Sequence, residues 1–286
     1  MARGYTTRKL ELFSVHLKGP PRLDYVDFFV RVLAATLPQV QIGEGRLVSV
    51  VPRESGGGIV TLVAYEGEEG VVPLIFDPSA AGERFQRLRA GEIVATKTHV
   101  MVDPARRRAV VEYNHRGAKA SHIAQVLERF GREIYRLPNL EFDFAPHISE
   151  EFIEAIERFG RIRLATARLV RPNPGWDEHY ASFMGLATDS EARTIEVEVT
   201  ASRGGSLSSA RGLVAHVKRL ARERFPSLKS ARVEGYREGE NQPATVSLQN
   251  HVEHQRVNVR KHESGHVDDE DIEEKMEAYL RDSEPR

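Results

Sequence analysis

The sequence contains no cysteine in its 286 residues. Disulfide bonds, thiolate nucleophiles and cysteine-ligated zinc or iron–sulfur centres are therefore excluded. Long apolar runs are also missing, since no stretch approaches the about 18 residues that a membrane-spanning helix needs. The segment Met1–Thr7 has no apolar core of the kind found in signal peptides. We therefore expect a cytoplasmic protein with no membrane partner.

Several kinds of catalytic site also lack their residues. The late histidines His262 and His266 have the spacing of helical metal ligands, but Ser264 and Gly265 between them disfavour a helix. His115 has no serine, cysteine or acid beside it that would complete a nucleophilic set. We expect no metal and no cofactor.

The small net charge of −1 conceals a strong separation of charge along the chain. Between Pro104 and Arg136 eight basic residues stand against three acidic ones, and between Arg203 and Arg237 nine stand against two. From Asp268 to Arg286 nine acidic residues stand against three basic ones. Such segregation favours an anionic partner for the basic segments, or an acidic tail that covers them.

Apolar periodicity and turn residues predict an α+β protein of two mixed halves with mostly antiparallel sheets. The first half, residues 1–136, has the pattern strand, helix, meander, hairpin and helix. It includes a buried helix from Asp24 to Leu37 and a short helix near Gly82–Leu88. The second half, residues 139–286, carries a basic helix at about Leu207–Phe225 and an acidic terminal helix at Asp269–Leu280. A phase slip between Leu12 and Phe13 predicts a bulge in the first strand.

Three consecutive arginines, Arg106, Arg107 and Arg108, lie at the predicted tip of a hairpin within the stretch from Val94 to Ile134. This pattern is typical of a β-ribbon that reaches a nucleic-acid groove or backbone. It also suits a charged turn that keeps an exposed hairpin soluble. Aromatic residues are few nearby, Tyr113 alone, so the sequence gives little support for base stacking.

The basic helix supplies a second candidate surface. Arg211, Lys218 and Arg222 are seven and four positions apart, which places them within about 20–40° of one another on a helix. Arg203 lies in a glycine-containing loop before this helix, where a strand, a turn and a helix N-terminus can hold an anion. The surface is interpreted as a row that follows phosphates, or as the solvated face of an ordinary amphipathic helix.

A metal-dependent nuclease is an alternative. Such an enzyme needs carboxylates and a lysine on a hairpin to hold the metal and position water. Asp103 and Glu112 have roughly that layout, but Asn114 stands where the lysine belongs. The competing interpretation is a turn at Asp103 and a solvent-facing Glu112.

The run A-R-L-V-R-P-N-P at 167–174, after a helix, a glycine and a strand, resembles an uncharacterised bacterial family of domain-of-unknown-function proteins. The resemblance implies a component of mobile or phage-defence loci and carries no catalytic residues with it. Together with the basic segments, it favours a non-enzymatic accessory protein that contacts DNA, RNA or another polyanion, with antiviral defence as the role that the resemblance implies. A further alternative is a subunit that assembles with a protein partner or as a homo-oligomer.

Overall fold

The computed structural model describes residues 4–18, 24–71, 73–77, 82–89, 92–170, 194–223 and 228–283. The chain divides into two compact units, unit 1 (Met1–Phe144 with Gln255–Arg286) and unit 2 (Ala145–His254). Within the described ranges, no helix has the length and apolar character needed to cross a bilayer.

The chain consists of runs of strands separated by single helices, as in α+β proteins. The strands are β1 (Tyr5–Lys18), β2 (Val40–Ile42), β3 (Arg46–Glu54), β4 (Val60–Glu68), β5 (Leu74–Asp77), β6 (Gly82–Phe85), β7 (Val94–Asp103), β8 (Arg108–Tyr113), β9 (Glu141–Pro146), β10 (Phe159–Val170), β11 (Thr194–Thr200), β12 (Leu228–Arg237), β13 (Pro243–Ser247) and β14 (His254–Arg260). The helices are α1 (Tyr25–Leu33), α2 (Ala120–Arg129), α3 (Glu150–Glu157), α4 (Gly212–Arg222) and α5 (Asp269–Asp282), with a π-helical turn at Phe130–Ile134 and a 3₁₀ turn at Leu248–His251.

Unit 1 is built on an eight-stranded sheet in the order β14-β1-β8-β7-β4-β3-β2, with β9 also paired to β1. The predicted hairpin is confirmed, since β7 and β8 pair antiparallel and the turn closes between Asp103 and Arg108. No bulge occurs at the predicted position where β1 pairs with β8, because the register there runs unbroken. Leu12 and Phe13 are both buried because both faces of this strand are covered, which explains the apolar run.

One face of this sheet carries α5. The helix buries Ile272, Met276 and Leu280 in one cluster with residues of β1, β7, β8 and β14. Met101 of β7 and Val110 of β8 belong to this cluster and are almost completely buried. The acidic helix is therefore a structural part of unit 1 and not a freely solvated tail.

On the opposite face of the same sheet, a cluster of aromatic side chains packs against α1 and the π-helical turn. Phe13 contacts Phe144, Phe144 contacts Phe142, and Phe142 stacks on Phe28 at 6.0 Å between ring centroids. Phe28 in turn meets Phe130 at 5.8 Å. These rings fix α1 and the end of α2 on the sheet.

Helix α1 begins as predicted but is shorter and less buried. The carboxylate of Asp24 accepts hydrogen bonds from the backbone N–H groups of Val26 and Asp27 at 2.7 and 3.1 Å. This is the capping that Asp provides at a helix start. The predicted burial on all sides is wrong, because Val26 and Val30 are 46% and 56% exposed. The predicted helix near Gly82–Leu88 is also wrong, since residues 82–85 form β6 and pair with β5.

Unit 2 has a four-stranded antiparallel sheet in the order β11-β10-β12-β13. Helices α3 and α4 pack on it through apolar residues such as Phe152, Ile156, Val217 and Leu220. Both units therefore combine helices with antiparallel pairing, and the predicted α+β class is confirmed.

The structure divides the chain differently from the sequence prediction. The segment Gln255–Arg286, assigned above to the second half, belongs to unit 1 because β14 pairs with β1 and α5 covers the same sheet. The boundary also falls after Phe144 and not at residues 137–138, because Phe142 and Phe144 belong to the aromatic cluster of unit 1.

Candidate functional site

The tip of the β7–β8 hairpin is held by Asp103. Its carboxylate accepts one hydrogen bond from the backbone N–H of Arg106 at 3.0 Å and a second from the Arg106 guanidinium at 3.1 Å. Asp103 is only 6% exposed, whereas the Arg106 side chain is 53% exposed. The acid thus fixes the turn, and half of the arginine still faces solvent.

Arg107 has an unusual backbone conformation for its residue type. Its φ is +56°, in the left-handed region that glycine and asparagine occupy far more readily than arginine. The carbonyl oxygen accepts a hydrogen bond from Val15 N at 2.8 Å, which ties the turn to β1. The guanidinium carbon lies 4.5 Å from the centroid of the Tyr25 ring, and the residue as a whole is exposed. The contact with Tyr25 and the hydrogen bond to Val15 therefore hold the exposed Arg107 in a fixed position.

Arg108 differs from its two neighbours. It is half-buried, and its guanidinium donates a hydrogen bond of 2.6 Å to the carbonyl oxygen of Ser283 just after α5. Of the three predicted arginines, Arg106 and Arg107 are presented at the tip, whereas Arg108 contributes to the packing of the C-terminal helix.

The predicted basic row of Arg211, Lys218 and Arg222 is only partly available to bind an anion. Lys218 and Arg222 converge on Glu157 of α3, at 3.3 and 3.6 Å, and the Lys218 side chain is only 12% exposed. Arg211 is the N-cap residue of the helix and is exposed. The acid that pairs with two of the three residues of this row comes from another helix, so the sequence of α4 alone does not reveal it.

The loop before α4 leaves Arg203 exposed in a turn with Gly204. The hydroxyl of Ser206 accepts a hydrogen bond from Ile162 N at 2.9 Å and lies 3.1 Å from the Leu207 carbonyl oxygen, to which it donates. The serine therefore connects this loop to β10. Of the predicted surface of unit 2, Arg203, Arg211 and Arg222 face solvent, and Arg222 does so while paired with Glu157.

The two acids of the nuclease alternative do not meet. They lie on the same face of the sheet, but Asp103 pairs with Arg108 and Glu112 lies four positions further along β8, which corresponds to about 13 Å. Glu112 is also 2% exposed and not solvent-facing as the competing interpretation expected. In the parts of the chain that the structure describes, no group of three or more acids and histidines could hold a metal ion.

Glu112 instead belongs to a cluster of charged residues, here called the His99 cluster, formed by Arg8, Lys97, His99, Glu112 and Asp269. One oxygen of Glu112 lies 3.1 Å from Arg8 Nε, and the other lies 2.8 Å from His99 Nδ1. The second imidazole nitrogen lies 3.3 Å from Asp269, which also forms a close ion pair with Lys97. The cluster thus connects three strands to the first turn of α5.

The arrangement of His99 suits anchoring better than catalysis. A general base needs a free ring nitrogen within reach of its substrate, and here both nitrogens face carboxylates in a residue that is 1% exposed. Burial favours the protonated form of Asp269, but the hydrogen bond from Lys97 and the charge of His99 hold its pKa below the ordinary value. The carboxylate is therefore kept charged, as an anchor for α5 requires.

A cleft of about 820 Å³ opens beside the His99 cluster, within unit 1. Its walls include Tyr65, Asn114, Arg116, His262 and His266. This volume is in the range of sites that take small molecules.

Sequence reasoning missed the His99 cluster, although one signal was present. If the turn closes between Asp103 and Arg108, counting back along both strands places His99 opposite Glu112. A histidine in the apolar end of one strand facing an acid on the next would have indicated a buried pair. The contributions of Arg8 and Asp269 depend on distant parts of the chain and leave no local pattern.

Comparison of the sequence with models of known protein families and with curated proteins finds no match. The motif that carries the bacterial resemblance has its first residues, 167–170, in β10, and the remainder, 171–174, lies outside the described residues.

Proposed function

We propose that this protein binds nucleic acid, or another polyanion, through Arg106 and Arg107 at the β7–β8 tip, with Arg203 and Arg211 forming a second patch on unit 2. All four residues are exposed, and guanidinium groups suit phosphate oxygens because they donate paired hydrogen bonds. The proposed contact is to the backbone phosphates, since arginines at a turn carry no base preference by themselves.

The observation that supports this proposal most strongly is the conformation of Arg107. A side chain in the left-handed region costs about 1–2 kcal/mol relative to an unstrained conformation, and glycine at the same position would avoid most of that cost. Backbone strain of this kind is concentrated at functional sites. Tyr25 and the Val15–Arg107 hydrogen bond hold the strained residue with its charge directed outward.

Binding can be measured by fluorescence anisotropy with labelled duplex and single-stranded DNA and RNA at a series of salt concentrations. The test variant is the double substitution Arg106→Gln with Arg107→Gly. The matched control is Arg89→Gln, because Arg89 is 91% exposed and has its own acidic neighbour, Glu92. We expect salt-sensitive binding that the double substitution weakens at least tenfold relative to the control.

Two results would contradict the proposal. One is the absence of binding to any of the probes at low salt, and the other is an equal loss in the double variant and in Arg89→Gln. Magnesium-dependent shortening of the probe would point instead to the nuclease alternative, which the separation of Asp103 and Glu112 does not favour. A role in antiviral defence, which the family resemblance implies, stays a prediction.

A further inference from the structure

A second group of basic side chains surrounds the start of α2, at the end of β8 away from the arginine tip. We call it the Lys119 cluster, formed by Lys9, Arg46, Tyr113, Lys119 and His122. Tyr113 is the last residue of β8, five positions after Arg108, or about 17 Å along the strand. The cluster is therefore separate from the proposed contact at the hairpin tip.

Tyr113 organises two of these cations. The residue is 44% exposed, and the centroid of its ring lies 5.1 Å from Lys9 Nζ and 5.2 Å from Lys119 Nζ. Both distances are within the range of cation–π attraction. The exposed ring thus holds two ammonium groups at the surface of unit 1.

The partners of Lys119 are neutral. Its ammonium donates hydrogen bonds to the backbone carbonyl oxygens of Asn114 at 2.5 Å and His115 at 2.9 Å. Lys9, by contrast, has a carboxylate partner, Glu11, at 2.8 Å. Within the described part of the chain, Lys119 forms no ion pair, so its positive charge has no direct counter-charge.

Arg46 and His122 share one buried acid. Glu66 is 3% exposed, with one carboxylate oxygen in a close ion pair with Arg46 and the other 2.9 Å from His122 Nδ1. The Arg46 side chain is 47% exposed and the His122 side chain 16%. The buried acid therefore pairs with one half-exposed cation, Arg46, and with the mostly buried imidazole of His122.

Burial and neighbouring positive charges together lower the pKa values of two members of the cluster. Burial, followed by the charge of Arg46, lowers the pKa of Lys119 despite the opposing charge of Glu11. Burial, followed by the charges of Arg46 and Lys119, lowers the pKa of His122 despite its contact with Glu66. Perturbed pKa values are more frequent at functional sites than elsewhere on a protein surface.

We propose that the Lys119 cluster binds one phosphate group of a ligand, with Lys119 as the principal contact and with Arg46 and Lys9 adding positive charge nearby. A phosphate placed beside Lys119 supplies the counter-charge that this side chain lacks and accepts a charge-assisted hydrogen bond from it. His122 lies next to Lys119 and Arg46 and reports on binding, because an added negative charge favours its protonated form. This site goes beyond the contact at the hairpin tip and does not depend on it.

The pKa of His122 can be measured by NMR, with the imidazole signal assigned by its loss in His122→Gln. The protein is titrated in chloride and then in inorganic phosphate at equal ionic strength. We expect phosphate to raise the pKa of His122 by about half a unit or more. In Lys119→Met, which keeps the length of the side chain, the pKa in chloride should already be higher and phosphate should add little.

Controls separate this proposal from the previous one. Arg89→Gln and the double variant Arg106→Gln with Arg107→Gly should keep the response of His122 to phosphate. The same pKa in both salts, or an unchanged response in Lys119→Met, would overturn the proposal.

Two further ligands identify the source of the phosphate. If a nucleoside monophosphate shifts the pKa of His122 and a single-stranded oligonucleotide without a terminal phosphate does not, the ligand is a small phosphate ester. A shift with both indicates that the site accepts backbone phosphates of nucleic acid.

Discussion

Substitutions at Arg107 can separate the free-energy cost of its left-handed backbone from the contribution of its side chain to stability. The residue has a φ of +56° and places its guanidinium 4.5 Å from the Tyr25 ring. Replacement by alanine removes the cation–π contact, worth about 0.5–1 kcal/mol at an exposed site, and leaves the backbone strain in place. Replacement by glycine removes both the contact and the strain of about 1–2 kcal/mol. We therefore expect Arg107→Gly to be more stable than Arg107→Ala by about 1–2 kcal/mol and close to the original protein.

Urea denaturation of the three proteins tests this expectation, provided that the dependence of unfolding free energy on urea is the same in each. Equal stability of the alanine and glycine variants would refute the reasoning, because it would mean that the left-handed conformation carries no cost. A glycine variant less stable than the alanine variant would refute it more strongly. If the expectation holds, arginine at this position is not explained by folding, and its exposed charge is the remaining explanation.

Two other predictions concern unit 1. Met276→Ala should destabilise unit 1 by about 2–5 kcal/mol in thermal or urea unfolding, because the side chain is fully buried against the sheet; a change below about 1 kcal/mol would contradict the assignment of α5 to this core. The pKa of His122 lies below its ordinary value of 6.5 in the folded protein, so the unfolded chain takes up the proton first as the pH falls. The free energy of unfolding should therefore decline as the pH falls from about 6.5 to the pKa of His122 in the folded protein. The variant His122→Gln should show a smaller decline. The same pH profile in the variant and the original protein would show that burial and the charges of Arg46 and Lys119 do not act on His122 as described.

Local chemistry explains which elements could be predicted from the sequence. The β7–β8 hairpin combines alternating apolar residues with an Asp-Pro turn, and Asp24 caps α1 as its type and position predict. The error at residues 82–85 has the opposite cause. The apolar pattern there is too short to distinguish a helix from a strand, and pairing with β5 decides the outcome.

Long-range pairing explains most of what could not be predicted. The return of Gln255–Arg286 to unit 1 depends on β14 meeting β1, about 250 positions earlier in the chain. Likewise, Lys218 and Glu157 lie on different helices, and no local sequence pattern indicates that they form an ion pair. The exposure of Arg106 and Arg203 could be predicted from the sequence, whereas the ion-pair partners of the charged side chains could not.

The salt dependence of nucleic-acid binding tests the central proposal most directly. Each phosphate contact contributes about 0.9 to the slope of the logarithm of affinity against the logarithm of salt concentration for duplex DNA. Removal of Arg106 and Arg107 together should therefore make the slope shallower by about 2, while Arg89→Gln leaves it unchanged. A double variant that binds with the original slope would contradict the account, because the arginine tip would then contact no phosphate.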